Sequence, residues 1–227
     1  MSVFLNVKPE TLGVVDDKYL GLLYSRVWSG DVVTYSYADL AQWETSEEYP
    51  INAVPADAKL RELVGSVLDE IEAVTNLEFK EVISDAHIDI FVNTKLHENG
   101  FAGQAVGPNG SGGYAAVAAQ EPIIRTLYHE ILHAVGLSHP DLTILPDNVQ
   151  SGQVTIMYPA NAIGYEDGYL KSFTPTDLLA HDIETLQQVY GINKSSSGND
   201  DYFFDTADVY YEGLFDAGGT DTIHILD

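Results

Sequence analysis

One eleven-residue segment, running from His129 to His139, constrains the fold more than any other part of the sequence. It reads His-Glu-Ile-Leu-His-Ala-Val-Gly-Leu-Ser-His, and the apolar residues in and before it recur at helical spacing. Residues four apart lie on one face of a helix, so His129 and His133 point in the same direction. Gly136 tolerates the left-handed conformation in which many helices end, and the reversal returns His139 towards both rings. The segment therefore predicts a helix and a turn that bring three imidazoles together.

Three imidazole nitrogens form a ligand set that suits zinc. With His129, His133 and His139 as ligands, a fourth position stays open, as in catalytic rather than structural zinc sites. Glu130 follows the first ligand on the same helix and is the candidate general base that acts on a zinc-bound water. The chain has no cysteine, so thiolate metal sites, disulfides and cysteine nucleophiles are excluded. The alternative interpretation is a helix that carries ordinary surface histidines.

Composition narrows the partners that we expect. The 227 residues are 45% hydrophobic, which indicates a packed globular chain. With 35 acidic and 10 basic side chains, the formal net charge is −25, which disfavours nucleic acid and membrane partners. Such a charge suits calcium binding through oxygen ligands, or simple solubility. No apolar stretch approaches transmembrane length, and residues 1–8 show no signal peptide.

Hydrophobic periodicity predicts helices and strands on both sides of the histidine segment. A long amphipathic helix follows Pro55, because seven apolar residues between Leu60 and Val74 share one face. A last helix is predicted to start at Thr174, with Pro175 in its first turn, and to end at Gly191. Residues 140–156 are predicted to be loop-like, and residues 17–24 to have some helical character. Predicted strands cover residues 32–37, 79–83, 87–93, 103–107 and 113–119.

At the histidine segment the chain resembles the metzincin zinc endopeptidases, and within them the serralysin and matrixin groups. The resemblance implies a tight turn that contains methionine below the metal, and residues 155–159, Thr-Ile-Met-Tyr-Pro, fit that turn. His139-Pro140 and the early Trp28-Ser29-Gly30 are similar to serralysins. Tyr158 directly after Met157 is similar to matrixins. Leu132 and Pro159 depart from the serralysin pattern, which carries Gly before the second His and Tyr at the position of Pro159.

The resemblance implies an α+β fold with a twisted mixed sheet and two long helices in an upper part, residues 30–139. A lower part, residues 140–192, is expected to hold the methionine-containing turn and a C-terminal helix. The implied organisation is an N-terminal arm over residues 1–24, a metzincin-like catalytic domain over 25–192 and an acidic extension over 193–227. The extension resembles the lead-in to a calcium-binding β-roll, although the roll does not follow before Asp227. A fragment and a short relative both fit this pattern.

The acidic extension also carries the candidate ligands for a structural calcium ion. They are Asp200, Asp201, Asp205, Asp216 and Asp221, and Asp221 after two glycines is the best single candidate. A solvated loop is the alternative. The remaining histidines have no convincing ligand spacing and are expected to be ordinary surface or core residues. These are His87, His97, His181 and His224.

The function that the resemblance implies is hydrolysis of peptide bonds in proteins. The expected partners are protein or peptide substrates and a proteinaceous inhibitor, and residues 102–107 would form the edge strand that pairs with substrate. Secretion is expected by resemblance. Two alternatives stay open, a non-catalytic binding module that keeps the site and a zinc hydrolase that acts on a non-protein substrate.

Overall fold

The computed structural model describes residues 4–6, 22–24, 26–37, 52–109, 112–118, 124–141, 152, 154–158, 162–166, 169–195, 197–205 and 213–226. Across these residues the chain is a mixed α+β protein with three α-helices and a mixed sheet. The helices are α1 (Ala58–Val74), α2 (Ile124–Val135) and α3 (Ala180–Tyr190). The strands are β1 (Phe4–Asn6), β2 (Arg26–Trp28), β3 (Val32–Ser36), β4 (Ala53–Pro55), β5 (Glu78–Glu81), β6 (Ile88–Asn93), β7 (Gly103–Val106), β8 (Gly113–Ala118), β9 (Ala162–Glu166), β10 (Tyr169–Phe173), β11 (Asp201–Asp205) and β12 (Thr222–Leu226).

The main sheet has the strand order β5-β3-β6-β8-β7, and β4 pairs with one end of β6. Parallel pairing joins β5, β3, β6 and β8, whereas β7 runs antiparallel to β8. The five predicted strands are all present, and β7 is the terminal strand next to β8. The sheet therefore ends in a short antiparallel edge on the side of the histidine segment.

Helix α1 forms where the periodicity predicts it. The side chain of Asp57 caps its first turn by accepting a hydrogen bond from Leu60 N at 2.8 Å. Its apolar stripe packs into the core, with Leu60, Val64, Val67, Leu68, Ile71 and Val74 all buried. Burial of such side chains contributes about 1.5–3 kcal/mol each, so the stripe fixes which face of α1 meets the sheet.

Alternate residues of β8 pack into two apolar layers, one on each face of the sheet. Ala115 and Val117 belong to the large cluster that includes α1 and α2. Tyr114 and Ala116 face a smaller cluster with Phe91 and Leu96 on the opposite side of the sheet. All six residues of β8 are buried, and four are Gly or Ala. This central strand fits the near-continuous burial that parallel sheets impose.

The C-terminal helix starts later than predicted. The sequence predicts a start at Thr174, but α3 begins at Ala180. Leu178 is fully buried, and its N–H donates to Glu70 Oε1 of α1 at 3.0 Å, which holds the preceding segment extended. The side chain of Asp182 then accepts from Leu179 N at 3.2 Å and caps the first turn instead.

Several elements have no counterpart among the predictions. Antiparallel β9 and β10 form a hairpin, and β1 pairs with β2. In the acidic extension β11 and β12 pair in parallel. Most of the predicted helical character at residues 17–24 lies outside the described residues. None of the described helices is both long enough and apolar enough to cross a lipid bilayer.

Candidate metal centre

Most side chains of helix α2 are buried, and one face of the helix lines a cavity. Leu127, Ile131 and Leu132 are fully buried, and Glu130 and His133 are only 6% and 5% exposed. The helix ends at Val135, and Gly136 follows with φ +115°, a conformation that side chains other than glycine rarely adopt. A Cβ atom there would also lie 2.8 Å from Val27 Cγ1. The positive φ angle and the lack of space for a Cβ both explain why a glycine occupies the turn that leads to His139.

Three distant groups bond the last carbonyl oxygens of this helix and its turn. Trp28 Nε1 donates to Ala134 O at 2.9 Å, and the Tyr190 hydroxyl donates to Val135 O. Tyr24 N donates to Gly136 O at 2.9 Å. These carbonyls would otherwise be unpaired at a helix end. The C-terminal end of α2 is therefore held by residues 24 and 28 from one part of the chain and by Tyr190 from another.

The turn brings the three predicted histidine rings together. His139 Nε2 lies 2.9 Å from His129 Nε2 and 3.2 Å from His133 Nε2. Ligand atoms of all three residues lie within 4.8 Å of one another. Nitrogen ligands at about 2.0–2.1 Å from a tetrahedral zinc ion lie about 3.3 Å apart, so the spacing of these rings fits such an ion.

Hydrogen bonds on the far side of two rings fix their tautomers. His129 Nδ1 lies 3.0 Å from Ile156 O, and His133 Nδ1 lies 2.8 Å from Leu137 O. A carbonyl oxygen only accepts, so each Nδ1 carries the proton and each Nε2 presents a lone pair to the centre. A proton on His139 Nε2 can satisfy only one of these lone pairs. A cation between the rings satisfies both. Metal-bound histidines commonly donate their other ring N–H to a carbonyl oxygen, as these two rings do.

Burial also keeps these rings neutral. Burial, together with the neighbouring histidines, lowers the pKa of His129 to about 4 and that of His133 to about 3. Burial lowers the pKa of the more exposed His139 as well. The three rings are therefore uncharged at neutral pH, which is the state that metal binding requires.

Glu130 lies against the edge strand. A Cβ atom on Gly103 of β7 would lie 2.4 Å from Glu130 Oε1 and 2.5 Å from its Cγ, so strand and carboxylate touch. Burial raises the pKa of Glu130 to about 8. The group lines the same cavity as the three histidines. An ionised carboxylate so deeply buried gains stability from a nearby cation.

The segment with Met157 lies beside the histidines. Met157 is fully buried, and Tyr158 N lies 3.4 Å from Thr155 O across the turn. Asp182 of α3 anchors this turn, accepting from Thr155 Oγ1 at 2.6 Å and from Ile156 N at 2.8 Å. Pro159, the position of the missing tyrosine, lies outside the described residues. The turn thus carries the carbonyl that orients His129.

Two residues near the centre were missed by the sequence analysis. The Tyr24 hydroxyl lies 3.2 Å from His133 Nδ1, and its ring packs against Gly107. Arg125 of α2 donates through Nη2 to Ile156 O at 3.2 Å and to Tyr158 O. Tyr24 sits more than a hundred residues from its partner and carries no local signal. Arg125 lies four residues before His129, and that helical spacing was a signal that could have found it.

A cavity of about 980 Å³ opens over this centre. Its floor is the exposed face of α2, and one wall is the whole of β7. Asn93, Leu96 and Phe101 extend it past the start of that strand. A wall formed by the edge of a strand suits an extended chain better than a compact small molecule.

The other predicted residues lie away from this cavity. His87 Nδ1 accepts from Thr34 N at 2.9 Å, and His181 is buried near Glu184. His97 lies in the short 3-10 turn His97–Asn99, and His224 bonds Asp201 at 2.8 Å. Of the five acidic candidates, the structure brings Asp200, Asp216 and Asp221 within 4.8 Å. Asp201 and Asp205 are not part of that group.

No protein-family model matches this chain, and no curated protein matches it.

Proposed function

We propose that this chain is a zinc-dependent endopeptidase of the metzincin type. One observation carries the proposal. The Nδ1 atoms of His129 and His133 are committed to carbonyl oxygens, while their Nε2 atoms converge on His139 Nε2 at 2.9 and 3.2 Å. Two neutral rings that turn their Nε2 lone pairs towards a third imidazole nitrogen form a cation site with one face open to a cavity.

The residues of the chain have distinct roles in this proposal. His129, His133 and His139 would hold the metal, and the Ile156 and Leu137 carbonyls keep two of the rings oriented. Zinc bound there lowers the pKa of water to about 7 and polarises a carbonyl group. Glu130 Oε accepts the proton of the attacking water and delivers it to the leaving amine nitrogen. Its burial suits a group that holds a proton between those two transfers.

The edge strand supports a peptide as the substrate. Strand β7 forms one wall of the cavity and pairs on one side with β8. Its other edge can take the backbone of an extended chain, which gives affinity with little sequence selectivity. Glu130 touches this strand at Gly103, so a backbone paired there lies close to the proposed base.

The test is proteolysis of unfolded casein with purified protein whose zinc content has been measured by elemental analysis. We expect one zinc per chain, cleavage that a chelator abolishes, and recovery on adding zinc. Glu130→Gln should retain the zinc and the fold but lose activity by a factor of about 10² to 10⁴. Equal activity of Glu130→Gln and the unchanged chain would disprove the proposed role of Glu130.

Two outcomes favour the alternatives. Zinc and tight peptide binding without any turnover indicate a binding module that keeps the site. Turnover of esters or other non-peptide compounds, with no block by a peptide hydroxamate, indicates a different zinc hydrolase.

Secretion, calcium binding by the acidic extension and inhibition by a protein that fills the cavity belong to the same proposal. The cluster of Asp200, Asp216 and Asp221 supports the calcium component, since oxygen ligands suit that ion. The cavity supports an inhibitor that enters it as substrate would.

A further inference from the structure

Among the described residues that line the cavity, Arg125 is the only arginine or lysine. Arginines and lysines number only 10 in the chain, and the net charge is −25. Arg125 lies on α2 four residues before His129, so it occupies the same helix face one turn nearer the N-terminus. A cationic group at this place attracts carboxylates in a protein that elsewhere repels them.

The guanidinium keeps donors available for a ligand. Within the described part of the chain, its hydrogen bonds engage Nη2 alone, with the carbonyl oxygens of Ile156 and Tyr158. These partners are neutral, and no described carboxylate lies within ion-pair distance. Asp182 acts on Arg125 only at longer range and is fully buried among its own donors. Arginine pairs carboxylates through its planar fork, so a ligand carboxylate can use the Nη1 donors.

The relation between α2 and β7 indicates which part of a substrate meets Arg125. Gly103 of β7 contacts Glu130 of α2. Gly107 follows Gly103 by four residues and lies near His133 O, three residues further along the helix. Strand and helix therefore advance in the same direction, and Arg125 lies beyond the Gly103 end of β7. Antiparallel pairing is the more stable kind. A peptide paired in that sense runs from Gly107 towards Gly103, and its part C-terminal to the scissile bond approaches Arg125.

We propose that Arg125 selects substrates with Asp or Glu at the first position C-terminal to the scissile bond. This inference rests on the proposed endopeptidase function and adds a substrate class to it. The Arg125 contact with the turn at residues 156–158 fixes the guanidinium at one place, which limits the entropy cost of binding a carboxylate.

The experiment uses two fluorogenic peptides that are sequence isomers. They share composition and net charge, and one Asp lies either directly after or directly before the intended scissile bond. The zinc-loaded protein should cleave the first isomer with a kcat/KM about tenfold higher, the effect of one hydrogen bond to a charged group. Arg125→Gln keeps an amide donor for the carbonyls but removes the charge, and we expect the two rates to become equal.

Lys80→Gln is the matched control, because it removes one positive charge from β5 at the opposite end of the sheet. It should keep the full preference. A purely structural role of Arg125 would slow both isomers alike and leave their ratio unchanged, so an unchanged ratio in Arg125→Gln overturns the inference. Binding of both isomers to the inactive Glu130→Gln variant, measured by fluorescence anisotropy, should show the same preference without turnover.

Two further results keep the outcomes distinct. If Arg125→Gln does not fold, raising the salt from about 0.02 to 1 M decides the question in the unchanged protein. An ion-pair preference shrinks with screening, and a salt-independent ratio rejects the role of Arg125. If casein is cleaved but the isomers react equally, only this inference fails. If neither casein nor any peptide is cleaved, the endopeptidase proposal itself fails and this inference with it.

Discussion

Adding one methyl group to the edge strand should displace the proposed catalytic base. In Gly103→Ala, the new Cβ would lie 2.4 Å from Glu130 Oε1, 2.5 Å from Cγ and 2.7 Å from Cδ. Ordinary contacts begin at about 3.4 Å, so the carboxylate side chain has to move by about 1 Å. Rotation of the carboxylate end alone does not relieve the clash with Cγ. Gly103 is not in the left-handed region, so the perturbation is steric and not conformational.

The expected result is a loss of activity without a loss of metal. A misplacement of about 1 Å at a reacting group can cost roughly a hundredfold, so we expect kcat/KM to fall about that far. The zinc content should stay at one per chain, because the three atoms nearest the new Cβ all belong to Glu130 and none to the three histidines. The assay is peptide cleavage, with zinc content by elemental analysis and Tm by circular dichroism on the same samples.

Gly65→Ala is the matched control. A Cβ on Gly65, in the middle of α1, meets nothing within 4 Å. The same substitution there should leave activity unchanged and stabilise the helix by about 1 kcal/mol. If Gly103→Ala is as active as Gly65→Ala, then Glu130 is either free to move without penalty or is not the base, and the argument from this contact is wrong.

Three other measurements test separate parts of the structure. Burial and a hydrogen bond with Asp177 together raise the pKa of Glu70 from 4.5 to about 8. The folded state therefore holds this proton more tightly than the unfolded state, and the free energy of unfolding should fall as pH rises from about 4.5 to 8. Because one pKa unit corresponds to about 1.4 kcal/mol, urea unfolding of Glu70→Gln should show a decline smaller by up to about 5 kcal/mol, and the same substitution at the exposed Glu62 is the control. In Tyr24→Phe, loss of the contact with His133 should weaken zinc binding up to about tenfold in competition with a chelator, and unchanged affinity would show that the Leu137 carbonyl suffices. Millimolar calcium should raise the Tm of the unchanged chain but not that of Asp221→Asn, and equal shifts would place the ion elsewhere.

Local sequence signals predicted the elements whose stability is mainly local. Helix α1 has a capping Asp57 and a continuous apolar stripe, and both are properties of neighbouring residues. Strands β3 and β6 were found because β-branched and aromatic residues recur in them, whereas β4, which pairs with one end of β6, was not predicted. The histidine segment predicted the arrangement of its rings for the same reason, since helical spacing and one glycine determine it.

Two of the missed features, the start of α3 and the position of Tyr24, depend on contacts between residues far apart in the sequence. Helix α3 starts at Ala180 because Glu70, more than a hundred positions away, holds Leu178 N. Pro175 and Asp177 are good helix starters, but tertiary hydrogen bonds overrode that preference. Tyr24 reaches His133 through the fold of the whole domain. No pattern within a short window of sequence carries such information.

The bonds at the end of α2 have a consequence for motion. Trp28, Tyr190 and Tyr24 each hold one of the last carbonyls, so this end cannot fray unless separate chain segments detach together. Amide hydrogens near His133 should then exchange with deuterium only in the rare molecules that open globally. The pocket for the ion would be preorganised before any ion arrives, and metal uptake would need little rearrangement of the chain.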